Sequence, residues 1–178
     1  MNGIIIVNKE KGFTSHDVVA KLRGILRFKK IGHTGTLDPD ATGVLPVCVG
    51  KATKVCDLLT DKDKTYVAVV RLGVTTDTQD MTGQVLSVSD VSVTEDQLKS
   101  VLKEFTGDIR QIPPMYSAIK INGKRLYELA RQGKEVERKA RNVTIHKIAL
   151  QATALQATAL QADEFTIEVT CSKGTYIR

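Results

Sequence analysis

The chain has 178 residues, of which 42% are hydrophobic and 26% charged, and its formal net charge is +6. This composition excludes a disordered chain, and no apolar run approaches the ~18 residues that cross a bilayer. Three cysteines without a CxxC spacing predict free thiols in a reducing cytoplasm and argue against a zinc site.

Strands and helices are predicted in the first half of the chain. Residues 3–7 form an apolar, β-branched run without a basic leader, which indicates a strand rather than a signal peptide. Thr14 or Ser15 caps a helix that runs to about Phe28, because its apolar positions fall on one face. Three more elements follow: a buried strand over 44–49, a short helix over 52–59 and a strand over 64–72.

The second half contains more strands than helices. A capping box of Thr94 and Gln97 starts a helix over 94–105, which stops at Gly107. Asn122-Gly123 predicts a tight turn at the end of a strand. The other predicted elements are strands over 84–88, 117–121, 143–150, 164–170 and from 175 onward, and a short helix over 126–131. This order predicts an α+β fold, with a mixed, mostly antiparallel sheet flanked by helices.

A five-residue unit repeats in residues 150–162, which read LQATALQATALQA. Five residues match neither the helical nor the strand period. We interpret the repeat as a tandem duplication that enlarges a surface hairpin, since surface loops tolerate insertions.

Positive charge is concentrated in residues 120–147. This window contains nine basic and three acidic residues, and the rest of the chain carries equal numbers of each. Clustered cations favour a polyanionic partner such as nucleic acid, because phosphate neutralisation releases counterions. A solvated basic face without a partner remains the alternative.

Residues 32–54 are the densest group of unusual residues, with glycines, a histidine, two aspartates and two prolines between a helix and a strand. Asp38 precedes Pro39, which keeps it out of the helical region of backbone space. A carboxylate on such a loop is presented to a ligand. On composition alone, the favoured interpretation of Asp38 is an aspartate that forms an Asx-turn before proline, which is a common arrangement.

This stretch is very similar to the signature motif of the TruB family of pseudouridine synthases. Four other stretches resemble family motifs in the same order: NKEKGFTS (8–15), KTYVA (64–68), QIPPMYSAIKINGKRLYEL (111–129) and CSKGTYIR (171–178). The resemblance covers the chain except for the repeat, and it departs at Glu10, where the family usually has proline. It implies a pseudouridine synthase-like fold and cofactor-free, metal-free isomerisation of the tRNA T-loop uridine usually numbered 55.

The resemblance also implies catalytic roles. Asp38 matches the catalytic aspartate, Arg178 the arginine that pairs with it, and Tyr66 the tyrosine that stacks on the target base. A guanidinium partner favours the charged carboxylate. Without the family context, the residues themselves favour a strand core position for Tyr66 and a surface ion pair for Arg178.

RNA contacts follow from the same resemblance. His33 matches a histidine that wedges into the space of a flipped base, and its alternative is a polar loop contact. Further residues are expected to line the cleft or meet the T-arm: Lys9, Lys11, Tyr176, Lys120, Lys124 and Arg125.

Residues 1–178 are expected to form one catalytic domain that is incomplete at its C-terminus, because the family's catalytic domain continues and a small RNA-binding domain commonly follows. Arg178 would then lie on a loose end, and the chain alone would be a poor enzyme. We expect a cytoplasmic monomer that binds tRNA and no membrane. Three alternatives stay open: a guide-RNA-directed synthase, a non-catalytic tRNA-binding or folding module, and a basic scaffold.

Overall fold

The computed structural model describes residues 1–151 and 163–178. It divides into two compact units, Met1–Lys62 and Asp63–Arg178. Most of the five-residue repeat lies outside the described residues, so its interpretation as an enlarged hairpin stays a prediction. The same holds for the prediction of a single catalytic domain over residues 1–178.

The first unit is a three-stranded antiparallel sheet with a helix on one face. Its sheet order is β1-β3-β2. The elements in chain order are β1 (Gly3–Lys9), α1 (Ser15–Leu26), β2 (Ile31–His33), β3 (Gly43–Val49), a 3-10 helix (Gly50–Val55) and α2 (Cys56–Thr60).

The core of this unit lies between α1 and the sheet. Val18 and Val19 of α1 are buried against strand residues that include Leu45 and Val47. Thr14 is the N-cap of α1 and forms a capping box with Asp17. The helix ends two residues before the predicted position, because Arg27 adopts a left-handed conformation with φ of 50°.

The second unit is built on a four-stranded antiparallel sheet of order β4-β11-β10-β7, with two short hairpins. The elements in chain order are β4 (Lys64–Arg71), β5 (Val74–Thr76), β6 (Val85–Val88), α3 (Glu95–Glu104), β7 (Gly107–Gln111), β8 (Lys120–Ile121), β9 (Lys124–Arg125), α4 (Leu126–Ala130), β10 (Arg141–Leu150) and β11 (Glu164–Cys171).

One face of this sheet carries the second core. Alternate residues of β11 are buried, among them Phe165, Ile167 and Val169, as the period of two in a half-buried strand requires. Leu98 and Leu102 of α3 pack on this core. The predicted capping box of Thr94 and Gln97 is confirmed.

The predicted α+β class is confirmed, and each strand pairing among the described residues is antiparallel. The strand predicted over 117–121 is reduced to Lys120–Ile121, and β2, β5, β7 and β9 were not predicted. The strand predicted from residue 175 onward is wrong, because no strand is formed there. Cys48, Cys56 and Cys171 are free, as predicted. The described helices include none that is long and apolar enough to span a membrane.

Candidate active site

Asp38 lies exposed in the loop between β2 and β3. Its backbone carbonyl accepts a hydrogen bond from the Ala41 amide at 3.0 Å. This contact closes a four-residue turn with Pro39 at its second position, where the fixed φ of proline favours a turn. The carboxylate is therefore carried on a tight turn rather than within a regular element, as predicted.

The residue before Asp38 is held by Ser15, the first residue of α1. The Leu37 amide donates to Ser15 Oγ at 2.9 Å, and Ser15 Oγ donates to the Leu37 carbonyl at 3.4 Å. Ser15 is 2% exposed. One buried hydroxyl thus satisfies both backbone groups of Leu37.

The residue after Asp38 is held by the loop between β1 and α1. The Pro39 carbonyl accepts a hydrogen bond from the Gly12 amide at 2.8 Å and another from Lys9 Nζ at 3.2 Å. Gly12 has a φ of 88°, a conformation that few side chains tolerate. Both neighbours of Asp38 are therefore fixed to the segment that runs from Lys9 to Ser15.

Lys9 is 1% exposed, and its ammonium donates to three backbone carbonyls. The acceptors are those of Phe13 at 2.6 Å, Glu10 at 3.0 Å and Pro39. Burial lowers the pKa of Lys9, while the nearby charge of Asp38 opposes the change. Because an ammonium has three donors, these bonds give Lys9 a role inside the protein, and its predicted contact with RNA stays a prediction.

His33 is the last residue of β2 and is half-buried opposite Val47. Burial lowers its pKa, and the Gly35 backbone partly offsets the shift. The imidazole is therefore neutral near pH 7. Its Nδ1 is buried and has no hydrogen-bond partner among the described residues, which leaves one ring nitrogen unused by the fold.

Tyr66 lies on β4 opposite Val169 of β11. It is half-buried and packs on the second core. This is the position of a strand core residue, the alternative that the sequence left open. A stacking role for the ring stays a prediction.

Arg178 donates from Nη1 to the Asp80 carboxylate at 2.7 Å and to the Thr78 carbonyl at 3.2 Å, and its side chain is 11% exposed. Asp80 also accepts hydrogen bonds from Thr78 Oγ1, from Thr82 Oγ1 and from the Thr82 amide. Burial alone would raise the pKa of Asp80, but these bonds and the charge of Arg178 hold it below its usual value. Asp80 is therefore an ionised partner of Arg178.

The segment that carries Tyr176 is held by a side chain rather than by a strand. Gln111 accepts from the Tyr176 amide at 2.9 Å and donates to the Tyr176 carbonyl at 2.8 Å. These two bonds satisfy the backbone N–H and C=O of Tyr176, which pairs with no strand of the described residues. Gln111 holds the backbone of Tyr176 and Asp80 holds the side chain of Arg178. The segment therefore differs from the loose end that was expected at Arg178.

Lys120, Lys124 and Arg125 are exposed on the hairpin of β8 and β9. Lys120 lies opposite Arg125. The predicted turn is confirmed, since Asn122 and Gly123 have φ of 51° and 79°. The hairpin therefore presents three cations together.

Asp38 and His33 belong to the first unit, and Tyr66, Arg178 and the basic hairpin belong to the second. The pairing of Asp38 with Arg178 stays a prediction. Sequence reasoning missed Ser15 as a loop partner and Asp80 as a partner of Arg178. The only signal for Asp80 was a run of threonines and aspartates, TTDTQDMTG, between two strands. No cluster of potential metal ligands occurs among the described residues.

The chain matches a family model described as TruB family pseudouridylate synthase (N terminal domain) over residues 23–177. It is 66% identical to tRNA pseudouridine synthase B of Lachnoclostridium phytofermentans and 52% identical to the protein of that name from Bacillus cytotoxicus. Each match covers 100% of this chain and 58% of the relative, so the chain spans little more than half of their length.

Among solved structures, a chain of a Cbf5-Nop10-Gar1 complex is similar, with a TM-score of 0.71 and 34% identity, over 99% of this chain and 41% of that one. A chain of an H/ACA RNP bound to a substrate RNA containing 2'-deoxyuridine has a TM-score of 0.66 and 30% identity, over 99% of this chain and 39% of that one. The predicted pseudouridine synthase-like fold is thereby confirmed.

Proposed function

This chain belongs to the TruB family of pseudouridylate synthases, and we propose that it isomerises a uridine of tRNA to pseudouridine. The target is the T-loop uridine numbered 55. The observation that carries the proposal is the Asp38 turn, which is fixed on both sides by hydrogen bonds and lies within the part of the chain that matches the family model.

The reaction exchanges one bond to the ribose for another. The glycosidic bond between N1 and C1′ breaks, a bond between C5 and C1′ forms, C5 loses its proton and N1 gains one. The overall change is an isomerisation without net oxidation. Asp38 supplies the carboxylate, as nucleophile or as base.

Arg178 and Tyr66 complete the proposed site. A guanidinium partner would favour the ionised form of Asp38, so that it reacts at neutral pH. Its bonds to Asp80 and Thr78 support a fixed position for Arg178. Tyr66 would stack on the extruded base, a contact worth ~1–3 kcal/mol.

RNA would also meet the neutral His33, Lys9, Tyr176 and the basic hairpin. The lowered pKa of His33, which burial causes, supports a neutral ring in contact with a displaced base. The three cations of the hairpin support binding to the T-arm backbone. We further propose that the protein works as a cytoplasmic monomer.

The test is release of tritium from a T-arm stem-loop labelled at C5 of the target uridine. Formation of the bond between C5 and C1′ must release this label to water. One equivalent per RNA is expected under single-turnover conditions, and none from a stem-loop with cytidine at the target position. A stem-loop that keeps its label in the presence of the protein would overturn the proposal.

A guide-RNA-directed synthase is the second candidate, and the similarity to chains of Cbf5 and H/ACA complexes favours it. The higher identity to proteins named tRNA pseudouridine synthase B supports the stand-alone alternative. Conversion of the stem-loop by the purified chain, without another RNA or protein, distinguishes the two.

A further inference from the structure

Ser15 connects the position of helix α1 to the turn that carries Asp38. Its hydroxyl accepts from the Leu37 amide at 2.9 Å and donates to the Leu37 carbonyl at 3.4 Å, although the two residues are 22 positions apart. Since Ser15 is 2% exposed, water has little access to replace these bonds.

The helix that carries Ser15 is itself fixed. Val18 and Val19 lie one turn further along α1 and are 8% and 1% exposed in the first core. The capping box of Thr14 and Asp17 closes the N-terminus of the helix. The hydroxyl is thus attached to a rigid support, which makes it suitable for holding a catalytic loop.

The hydrogen bonds between Ser15 and Leu37 hold the residue that directly precedes Asp38. Leu37 is bonded to Asp38, and Pro39 on the other side is held by Gly12 and Lys9. Without the hydroxyl, the backbone of Leu37 would lose both hydrogen bonds, and only the packing of its side chain on the first core would hold it. The turn could then shift relative to α1. The carboxylate would move while the sheet and the helix keep their places.

We propose that Ser15 is a positioning residue for Asp38, whose hydroxyl sets the placement of the carboxylate during catalysis and takes no part in binding RNA. This inference rests on the proposed function. If Ser15 were only structural, its substitution would reduce the amount of folded protein. If Ser15 positions Asp38, its substitution slows conversion by protein that is folded and has bound the RNA.

The experiment compares Ser15→Ala with Thr14→Ala in the full chain. Thr14 is the neighbouring N-cap, and its loss destabilises α1 without removing a bond to Leu37. For Ser15→Ala, single-turnover conversion of the labelled stem-loop should fall about tenfold to a hundredfold at saturating protein, since small displacements have effects of that size. Its dissociation constant for the stem-loop should not change.

Thr14→Ala loosens the start of α1 but keeps both bonds to Leu37, so it should lose much less of the conversion rate than Ser15→Ala. If Ser15→Ala does not fold, Ser15→Cys fills the same space with a weaker hydrogen-bonding group and should also be slow. A serine variant that converts bound RNA at the parent rate would overturn the inference, as would an equal loss of rate in Thr14→Ala.

Amide hydrogen exchange separates failure of this inference from failure of the proposed function. The Ala41 amide is bonded to the Asp38 carbonyl and reports on the turn. In Ser15→Ala, the Leu37 and Ala41 amides should exchange faster, while those of β1 stay protected. Unchanged exchange at Ala41 would overturn the inference even if the parent chain converted no RNA.

Discussion

Arg178 and Asp80 form an ion pair in which Nη1 lies 2.7 Å from a carboxylate oxygen, and both side chains are largely shielded from solvent. Thr78 and Thr82 supply further hydrogen bonds to Asp80. A guanidinium has five N–H donors, so this pair is compatible with a second carboxylate partner. Asp80 thereby fixes the cation that we propose for Asp38.

The Asp80 pair should make stability depend on acid pH. Its folded-state pKa lies below the ordinary value of 3.8, so its contribution is complete above that pH and disappears as pH falls through the folded-state value. Asp80→Asn should lower the free energy of unfolding by about 2 kcal/mol at pH 6, and by less at pH 3. Urea unfolding at both pH values measures the difference, and an equal loss at both would contradict it.

Loss of the Lys9 ammonium should destabilise the loop of Asp38. Lys9→Met keeps the apolar stem but leaves buried carbonyls without their donor, which should cost about 2–4 kcal/mol of unfolding free energy. Conversion of bound RNA should fall as well, because Pro39 loses one of its two attachments.

Lys11→Met is the matched control for this change. Lys11 has the same side chain two positions away, but it is 71% exposed and lies 3.9 Å from Asp40. Exposed ion pairs contribute little, so the free energy of unfolding should stay near the parent value. If both variants behaved alike, the buried ammonium would have no special role.

The location of the Asp38 turn could be predicted from sequence because glycine and proline constrain the backbone locally. The capping box of Thr94 and Gln97 could also be predicted, because its two residues are close together in the sequence. By contrast, β7 begins with a glycine and contains two charged residues, and it is a strand only because β10 lies beside it. Three-residue β2 likewise depends on β3.

Contacts between distant residues could not be predicted in this way. Asp80 and Arg178 are 98 positions apart, and no spacing relates them. Val101 and Phe105 share the helical spacing of Leu98 and Leu102, which pack on the second core, yet they are 48% and 53% exposed. The periodicity of apolar residues predicts which face of a helix is buried. How many residues of that face are buried depends on the sheet against which the helix packs.

Charge reversal of the basic hairpin should weaken RNA binding. Lys124→Glu with Arg125→Glu removes two exposed cations, and each lost phosphate contact should reduce the salt slope of stem-loop binding by about 1. Lys99→Glu with Lys103→Glu on α3 makes the same change in net charge as a control. Equal slopes for the two double variants would show that the hairpin is only a solvated face.

The most direct test of the account is single-turnover conversion and stem-loop binding by Asp38→Asn. This substitution keeps the shape of the side chain and removes its charge, while the turn is held through the neighbouring residues Leu37 and Pro39. We predict that the stem-loop binds with the parent affinity and that conversion is lost. Conversion within about tenfold of the parent rate would contradict the assignment, since removal of the essential carboxylate should cost far more.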